Sequence, residues 1–433
     1  MHLQASAPVG DIWTKLIAIL TNFVIYWEFH PQFQTDTYHA GAAIWQGLQT
    51  DVLSPPFPYP EAVNWTLREQ IENRGYQFEE HDITTEDGYI LTAFRVPGKL
   101  GEEMEGVSKQ PVIMQHGLID DGATWFFNDA TLDLSLELVD LGYDIWATNS
   151  RGSTFSNRHV NYTVEDDAFW NFTMNEMGKY DVPANVHYVL ANALGHFEQV
   201  IWFGHSQGTT QWFIANALDQ TLAAKFKAFI GLAPVMYVYN QNSVAVTILS
   251  LLQIPDLLLE YLDSFLYVPQ LSAVGPFFLH AFPRFVWNIV QTVVGFDKQQ
   301  HLDLAMLPMM GRNDVGGTST KNLFHWIQMI RAGYFQQYDF GSASANQIAY
   351  GQDYPPQYNT GTFKTNLAHV SMLLFAGGND ALVAPADYAK LLGLLPGNVK
   401  SKVIADYNHL DYMWSADVNE YVNDDVRAFL KSL

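Results

Sequence analysis

Short, almost wholly apolar runs recur along the second fifth to the end of the chain and alternate with stretches of helical spacing. The runs are Val112 to Gln115, Tyr143 to Thr148, Val200 to Phe203, Ala228 to Leu232, Met372 to Ala376 and Lys402 to Ala405. Between most of them lie helical patterns such as Thr131 to Leu141 and Tyr180 to Ala193. Strands without polar alternation are strands buried on both faces, so this rhythm predicts an α/β fold with a mostly parallel central sheet and helices on both sides. Ahead of it, Phe78 to Thr84 and Tyr89 to Val96 are β-rich runs joined through Glu86-Asp87-Gly88, which predicts an antiparallel hairpin.

Two regions depart from the rhythm. Residues 236–365 interrupt it with apolar helical stretches at Val244 to Leu252, Leu257 to Leu266 and Phe285 to Val294, as an inserted helical cap would. Ile248, Leu249, Leu251, Leu252, Leu257, Leu258 and Leu259 cover more than one helix face, which leaves apolar surface for a bulky water-insoluble ligand or a lipid interface. Residues 1–75 mix apolar patches with Pro-rich stretches such as Ser54 to Pro60 and read as an extension lying on a surface. Within it, Leu16 to Trp27 is apolar but short of a bilayer span and lacks a small-residue cleavage site; a packed helix, a signal and a membrane anchor all stay open. The expected organisation is therefore an extension (1–75), a core (76–235 and 366–433) and a cap (236–365).

The chemistry centres on Gly204-His205-Ser206-Gln207-Gly208, set between the strand Val200 to Phe203 and the helical run Thr209 to Leu218. Strand, glycine-flanked turn and helix form a nucleophile elbow, which presents the serine hydroxyl at a helix N-terminus. A hydroxyl needs a base, and the base an orienting acid. Asp380 follows the strand Met372 to Ala376 through Gly377-Gly378-Asn379, and His409 follows Lys402 to Ala405, giving the chain order Ser, Asp, His of an α/β-hydrolase. Asp387, Asp406 and Asp411 are rival acids; the first falls in a helix start, and the others lie close to His409 in sequence. For the oxyanion, Gln207 follows the nucleophile, and Leu118 is the second candidate donor because Gly117 lets the loop after Val112 to Gln115 turn back towards Ser206. His205 is read as shaping the elbow, and the isolated His81, His159, His187 and His369 as packed or surface groups. No cofactor and no metal is called for.

Composition narrows the partners. The 45 acidic and 22 basic residues give a net charge of −23, a field that repels nucleic acid and anionic lipid surfaces alike. Any interfacial contact then relies on apolar surface or on acidic pH, and 48% hydrophobic with 14% aromatic residues leave ample material for it. The chain has no cysteine, which removes disulfides and thiolate chemistry. Asn64-Trp65-Thr66, Asn161-Tyr162-Thr163 and Asn171-Phe172-Thr173 match the N-glycosylation pattern.

From Tyr76 onward the sequence resembles the acid lipase family, which includes gastric lipase, lysosomal acid lipase and fungal steryl ester hydrolases. The resemblance rests on Thr85 to Leu91, Gln115 to Leu118, Asn149 to Gly152, Glu176 to Ala184, the Ser206 elbow, Asn322 to Trp326, Gly377 to Asp380 and Tyr407 to Asp411. It implies a hydrolase of triacylglycerol or sterol ester with a helical lid, a Ser206, Asp380, His409 triad and a secreted or endolysosomal or vacuolar setting. The animal enzymes carry a cysteine pair in the cap; here Phe277 to Gln300 has none. Two other readings are a non-catalytic lipid-binding or structural subunit that keeps the fold, and a small-ester esterase or acyltransferase using the same acyl-enzyme.

Overall fold

The computed structural model describes residues 20–54, 57, 59–251, 265–266, 276–297, 299, 301–313 and 316–433. Its centre is a twisted sheet whose main strands are β1 (Glu79–Thr84), β2 (Tyr89–Val96), β3 (Gln110–Gln115), β4 (Tyr143–Thr148), β5 (Val200–His205), β6 (Phe226–Leu232), β7 (Ser371–Gly377) and β8 (Lys400–Ile404). They lie in the order β1-β2-β4-β3-β5-β6-β7-β8, and the short segment Arg158–His159 adds to β2. β1 and β2 form the expected hairpin, β2 meets β4 antiparallel, and every later neighbour is parallel. This is the α/β-hydrolase order, with the elbow strand in mid-sheet.

The inner strands form because their residues have nowhere polar to face, whereas the edge strands β1 and β8 are largely exposed. Every residue of β5 is buried, and Trp146, Trp202, Trp212 and Phe229 pack without exposure around the sheet centre. Burial of one such side chain contributes roughly 1.5–3 kcal/mol. At the hairpin, Gly88 has φ +97°, and an added Cβ would meet Val160 Cγ2 at 2.7 Å, so the turn requires glycine. Beneath it the Arg151 guanidinium is fully buried, paired with Asp87 at 2.6 Å and Asp181 at 2.6 Å and stacked 4.0 Å over Tyr89. One buried, charge-assisted cluster thus joins three of the sequence motifs that carry no reacting group.

Between β6 and β7 the expected cap helices Val244–Leu251 and Pro283–Val294 are present, followed by Thr320–Ala332. Leu257 to Leu266 lies outside the described residues except for Phe265–Leu266, which is not helical but pairs antiparallel with Thr318–Ser319. Seven of its ten residues are Leu, Phe or Tyr, a run that carries no helical period to separate it from strand.

The described part of the N-terminal extension is largely helical. Of the apolar run Leu16 to Trp27, residues 16–19 lie outside the described residues; residues 20–29 are helical, and Pro31–Leu53 forms a further helix with Pro31 at its N-terminus. It packs along Pro283–Val294 of the cap. Phe33, Ala40 and Gly47, spaced by seven, face inward, and Gly47 leaves room that a Cβ would fill at 2.7 Å from Asn288 Nδ2. Among the described residues, no helix is long and apolar enough to cross a membrane.

Candidate active site

Ser206 sits where β5 turns into the helix Gln207–Leu218, with φ 50° and ψ −120°. A non-glycine residue held there stores about 1–3 kcal/mol of backbone strain. What holds it is close packing on both sides. A Cβ on Gly204 would meet the Gly208 carbonyl carbon at 2.8 Å, and one on Gly208 would meet the Gln115 carbonyl oxygen at 2.3 Å. Both glycines are therefore demanded by backbone approaching backbone. The Ser206 N–H donates to the Leu232 carbonyl at 3.0 Å, fixing the turn against β6.

The candidate base and acid converge on this turn from the ends of β8 and β7. His409 Nε2 lies 2.7 Å from Ser206 Oγ, and His409 Nδ1 lies 2.8 Å from Asp380 Oδ2. A carboxylate can only accept, so the proton sits on Nδ1 and the Nε2 lone pair faces the serine hydroxyl. The other Asp380 oxygen accepts from the backbone N–H groups of Leu382 and Val383, both at 2.9 Å, which fixes its plane. Asp380 and His409 are 4% and 3% exposed, so water competes little with these bonds.

The three rival acids are engaged elsewhere. Asp387 holds Asn240, Asp406 accepts from Gln299, and Asp411 accepts from the Asn408 backbone at 2.6 Å. Burial pushes the Asp411 carboxyl up to about 7.

Two loops complete the site. Gly117 approaches so closely that a Cβ would lie 3.3 Å from Ser206 Cβ, and its N–H donates to Asp120 Oδ2 at 3.1 Å. Leu118 lines the same cavity as Ser206 and His409, next to Ile119, whose φ is +63°. Gln207 is the first residue of the elbow helix and is buried. Its side-chain oxygen accepts from Asn322 Nδ2 at 2.9 Å and from Trp326 Nε1 at 2.8 Å, both on Thr320–Ala332.

Sequence reasoning did not find these contacts, although Asn322 to Trp326 stood out as a motif. It also missed what His205 does. His205 Nε2 lies 2.9 Å from the His409 carbonyl oxygen and must donate to it. Burial first, then the neighbouring His409, pushes its pKa down to about 4, so it stays a neutral donor in mild acid. Of the four histidines read as packed or surface groups, His81 and His159 are half-buried, while His187 and His369 are exposed, the latter with its Nε2 2.9 Å from the Ala223 carbonyl.

Above the serine opens a cavity of about 370 Å³. Its walls are nearly all apolar, with Val238, Leu249, Leu323, Ile327 and Leu382 among them, and Ser206 and His409 are among its few polar side chains. An extended apolar group bound there would place its one polar centre at the hydroxyl.

The sequence matches family models and known relatives. A family model described as a partial alpha/beta-hydrolase lipase region matches residues 67–129, and one described as the alpha/beta hydrolase fold matches residues 110–416. A putative lysosomal acid lipase/cholesteryl ester hydrolase of Crotalus adamanteus is 37% identical over 358 residues, 81% of this chain and 86% of that one. The chain belongs to the acid lipase family. The gastric triacylglycerol lipase of Rattus norvegicus is 36% identical over 386 residues, 86% of this chain and 92% of that one. The lysosomal acid lipase/cholesteryl ester hydrolase of Macaca fascicularis is 35% identical over 360 residues, 82% and 88% of the two chains. In this family member the cap is tied directly to the reacting loops. The carbonyl oxygen of Val294, which ends the helix Pro283–Val294, accepts from the N–H groups of both His409 and Ala381 at 3.2 Å.

Proposed function

We propose that this protein hydrolyses carboxylic esters of neutral lipids, triacylglycerol or sterol ester, through an acyl-enzyme on Ser206. The observation that carries the reading is the hydrogen-bonded chain Ser206, His409, Asp380 at the floor of an apolar cavity. His409 Nε2 takes the Ser206 proton as Oγ attacks the ester carbonyl carbon, while Asp380 keeps the proton on Nδ1 and stabilises the imidazolium. The N–H groups of Gln207 and Leu118 stabilise the oxyanion. The tetrahedral adduct collapses, the alcohol leaves with the proton from His409, and water repeats the sequence on the acyl-enzyme. Ester and water are the only reactants.

The cavity favours a long acyl chain, since each buried methylene contributes up to roughly 0.8 kcal/mol. The names of the relatives, gastric and lysosomal lipases, support a secreted or lumenal setting. Asn64, Asn161 and Asn171 are all exposed and so open to glycosylation, which a mass shift on peptide N-glycosidase treatment would register.

The test is acyl-chain profiling on purified protein, with and without an alcohol acceptor. Hydrolysis of emulsified long-chain triacylglycerol or sterol ester should exceed that of dissolved butyrate ester. Ser206→Ala should abolish both turnover and organophosphonate labelling, and Asp380→Asn should lower kcat by about 10⁴. A parent protein inert to all esters would favour a binding subunit instead, and ester synthesis outpacing hydrolysis would favour an acyltransferase.

A further inference from the structure

The helix Pro31–Leu53 presents two faces with opposite partners. The inward one, Phe33, Ala40 and Gly47, lies on the cap, and its fastening is polar: Asp51 is paired with Arg284 at 3.0 Å and accepts from the Phe285 N–H at 2.9 Å, while Asn288 donates to the Ala43 carbonyl at 2.8 Å. The outward one repeats the seven-residue spacing with Tyr38, Trp45 and Val52, which are 75%, 61% and 67% exposed, and ends on Leu53 at 85%. An ordinary solvated helix carries Lys and Glu on that face. Here residues 20–53 contain no Lys or Arg, and of their three acids Asp51 is already neutralised in its buried pair.

The apolar surface continues on both sides. The preceding helical turn adds Val24 and Phe29, 55% and 76% exposed, and rings of Tyr26 and Trp27 pack on Phe33 to hold that turn to the helix. On the cap side Phe277 and Phe278 are exposed, and Leu249, 39% exposed, also lines the cavity above Ser206. The helices Pro31–Leu53, Val244–Leu251 and Pro283–Val294 pack on one another, so this surface adjoins the wall of the cavity.

We propose that this face docks the protein on an uncharged lipid–water surface, beside the entrance used by the ester. The choice of partner rests on the neutral-lipid reading above. Exposed Trp, Tyr and Phe without Lys or Arg beside them in residues 20–53 suit the interfacial zone of a zwitterionic or neutral lipid layer. A net charge of −23 and a helix without Lys or Arg disfavour an anionic one.

The experiment uses full-length Ser206→Ala protein, which binds without turnover, and flotation with triolein emulsion particles coated in phosphatidylcholine. The parent should float equally at low and high salt. A variant carrying Tyr38→Ser, Trp45→Ser, Val52→Ser and Leu53→Ser should partition at least tenfold less, while the same four changes beside an intact Ser206 leave hydrolysis of dissolved butyrate ester as it was. Should the fourfold variant lose that hydrolysis, Trp45→Ser and Leu53→Ser are tested singly, and undiminished flotation in both overturns the proposal. So does binding that requires phosphatidylserine, or a parent dimer that the four changes dissociate, since a second copy would then cover the face. Flotation of a protein whose Ser206 form hydrolyses no lipid ester would sink the proposed function and leave the docking surface standing.

Discussion

Replacing His205 by Phe tests whether a hydrogen bond to the backbone of the candidate base sets the rate. The change keeps a flat ring in a buried site and removes one donor, the Nε2–H bonded at 2.9 Å to the His409 carbonyl. His409 is 3% exposed, so no water takes over that bond. Leaving a buried carbonyl unpaired costs about 1–3 kcal/mol. The loop carrying His409 can shed part of that cost by moving, and only the 2.7 Å contact to Ser206 has to lengthen for the rate to suffer. If roughly 1.4–2.7 kcal/mol appears in the barrier, kcat falls about 10- to 100-fold. KM for a dissolved p-nitrophenyl ester should hardly change, because most of the cavity wall lies elsewhere. His205→Gln, which restores an N–H donor, should recover part of the loss in kcat. A Phe variant with kcat within twofold of the parent, at unchanged organophosphonate labelling rate, would refute the argument.

Other consequences follow from single contacts. Asp411, pushed up to about 7 by burial, is neutral in the fold at pH values where the unfolded chain is already ionised. Its contribution is therefore complete below about pH 4 and is lost as pH rises towards 7, on the order of 4 kcal/mol at most. Asp297, His301 and Asp417 act on the same carboxyl, so Asp411→Asn should flatten the fall in urea midpoint between pH 4 and 7 and leave the rest of the profile; an unchanged slope would exclude Asp411 as its source. Trp326→Phe removes one of two donors to the Gln207 side chain and should lower kcat several-fold. Asn322→Leu also orphans the Met174 N–H, so it should lose about 1–3 kcal/mol of stability besides. Ser206→Gly should be more stable than Ser206→Ala by about 1 kcal/mol, the reverse of the usual order, because φ 50° suits glycine; equal midpoints in denaturant would show the elbow to be unstrained.

The parts of this molecule that could be read from its sequence are those whose cause is local. Apolar runs such as Tyr143–Thr148 and Tyr89–Val96 appear as strands with the expected ends, and the elbow is marked by two glycines, of which Gly204 is required by the elbow's own backbone and Gly208 by the neighbouring Gln115. The contacts that went unread join residues far apart in the chain: His205 and His409, Gln207 and Asn322, Val294 and both His409 and Ala381. Nothing in the neighbourhood of His205 distinguishes a donor to a distant carbonyl from a histidine that fills space. The helix Pro31–Leu53 lies between these cases. Its seven-residue stripe of Phe33, Ala40 and Gly47 was present in the sequence, but small residues give a weak apolar signal, and with the Pro-rich stretch after it the region read only as an extension lying on a surface.

The cap's attachment constrains how the site can open. The helix Pro283–Val294 is fixed at its N-terminal end by Asp51 to Arg284 and Phe285, and at its C-terminal end by the Val294 carbonyl to His409 and Ala381. Gly295, with φ +109°, closes that end so tightly that a Cβ would fall 1.9 Å from the Asn379 carbonyl oxygen. Moving this end outward would break both N–H bonds to Val294 and pull on the loops that hold Asp380 and His409. A helix anchored in this way serves as a fixed wall, so a bulky ester that needs more room has to gain it from other parts of the cavity.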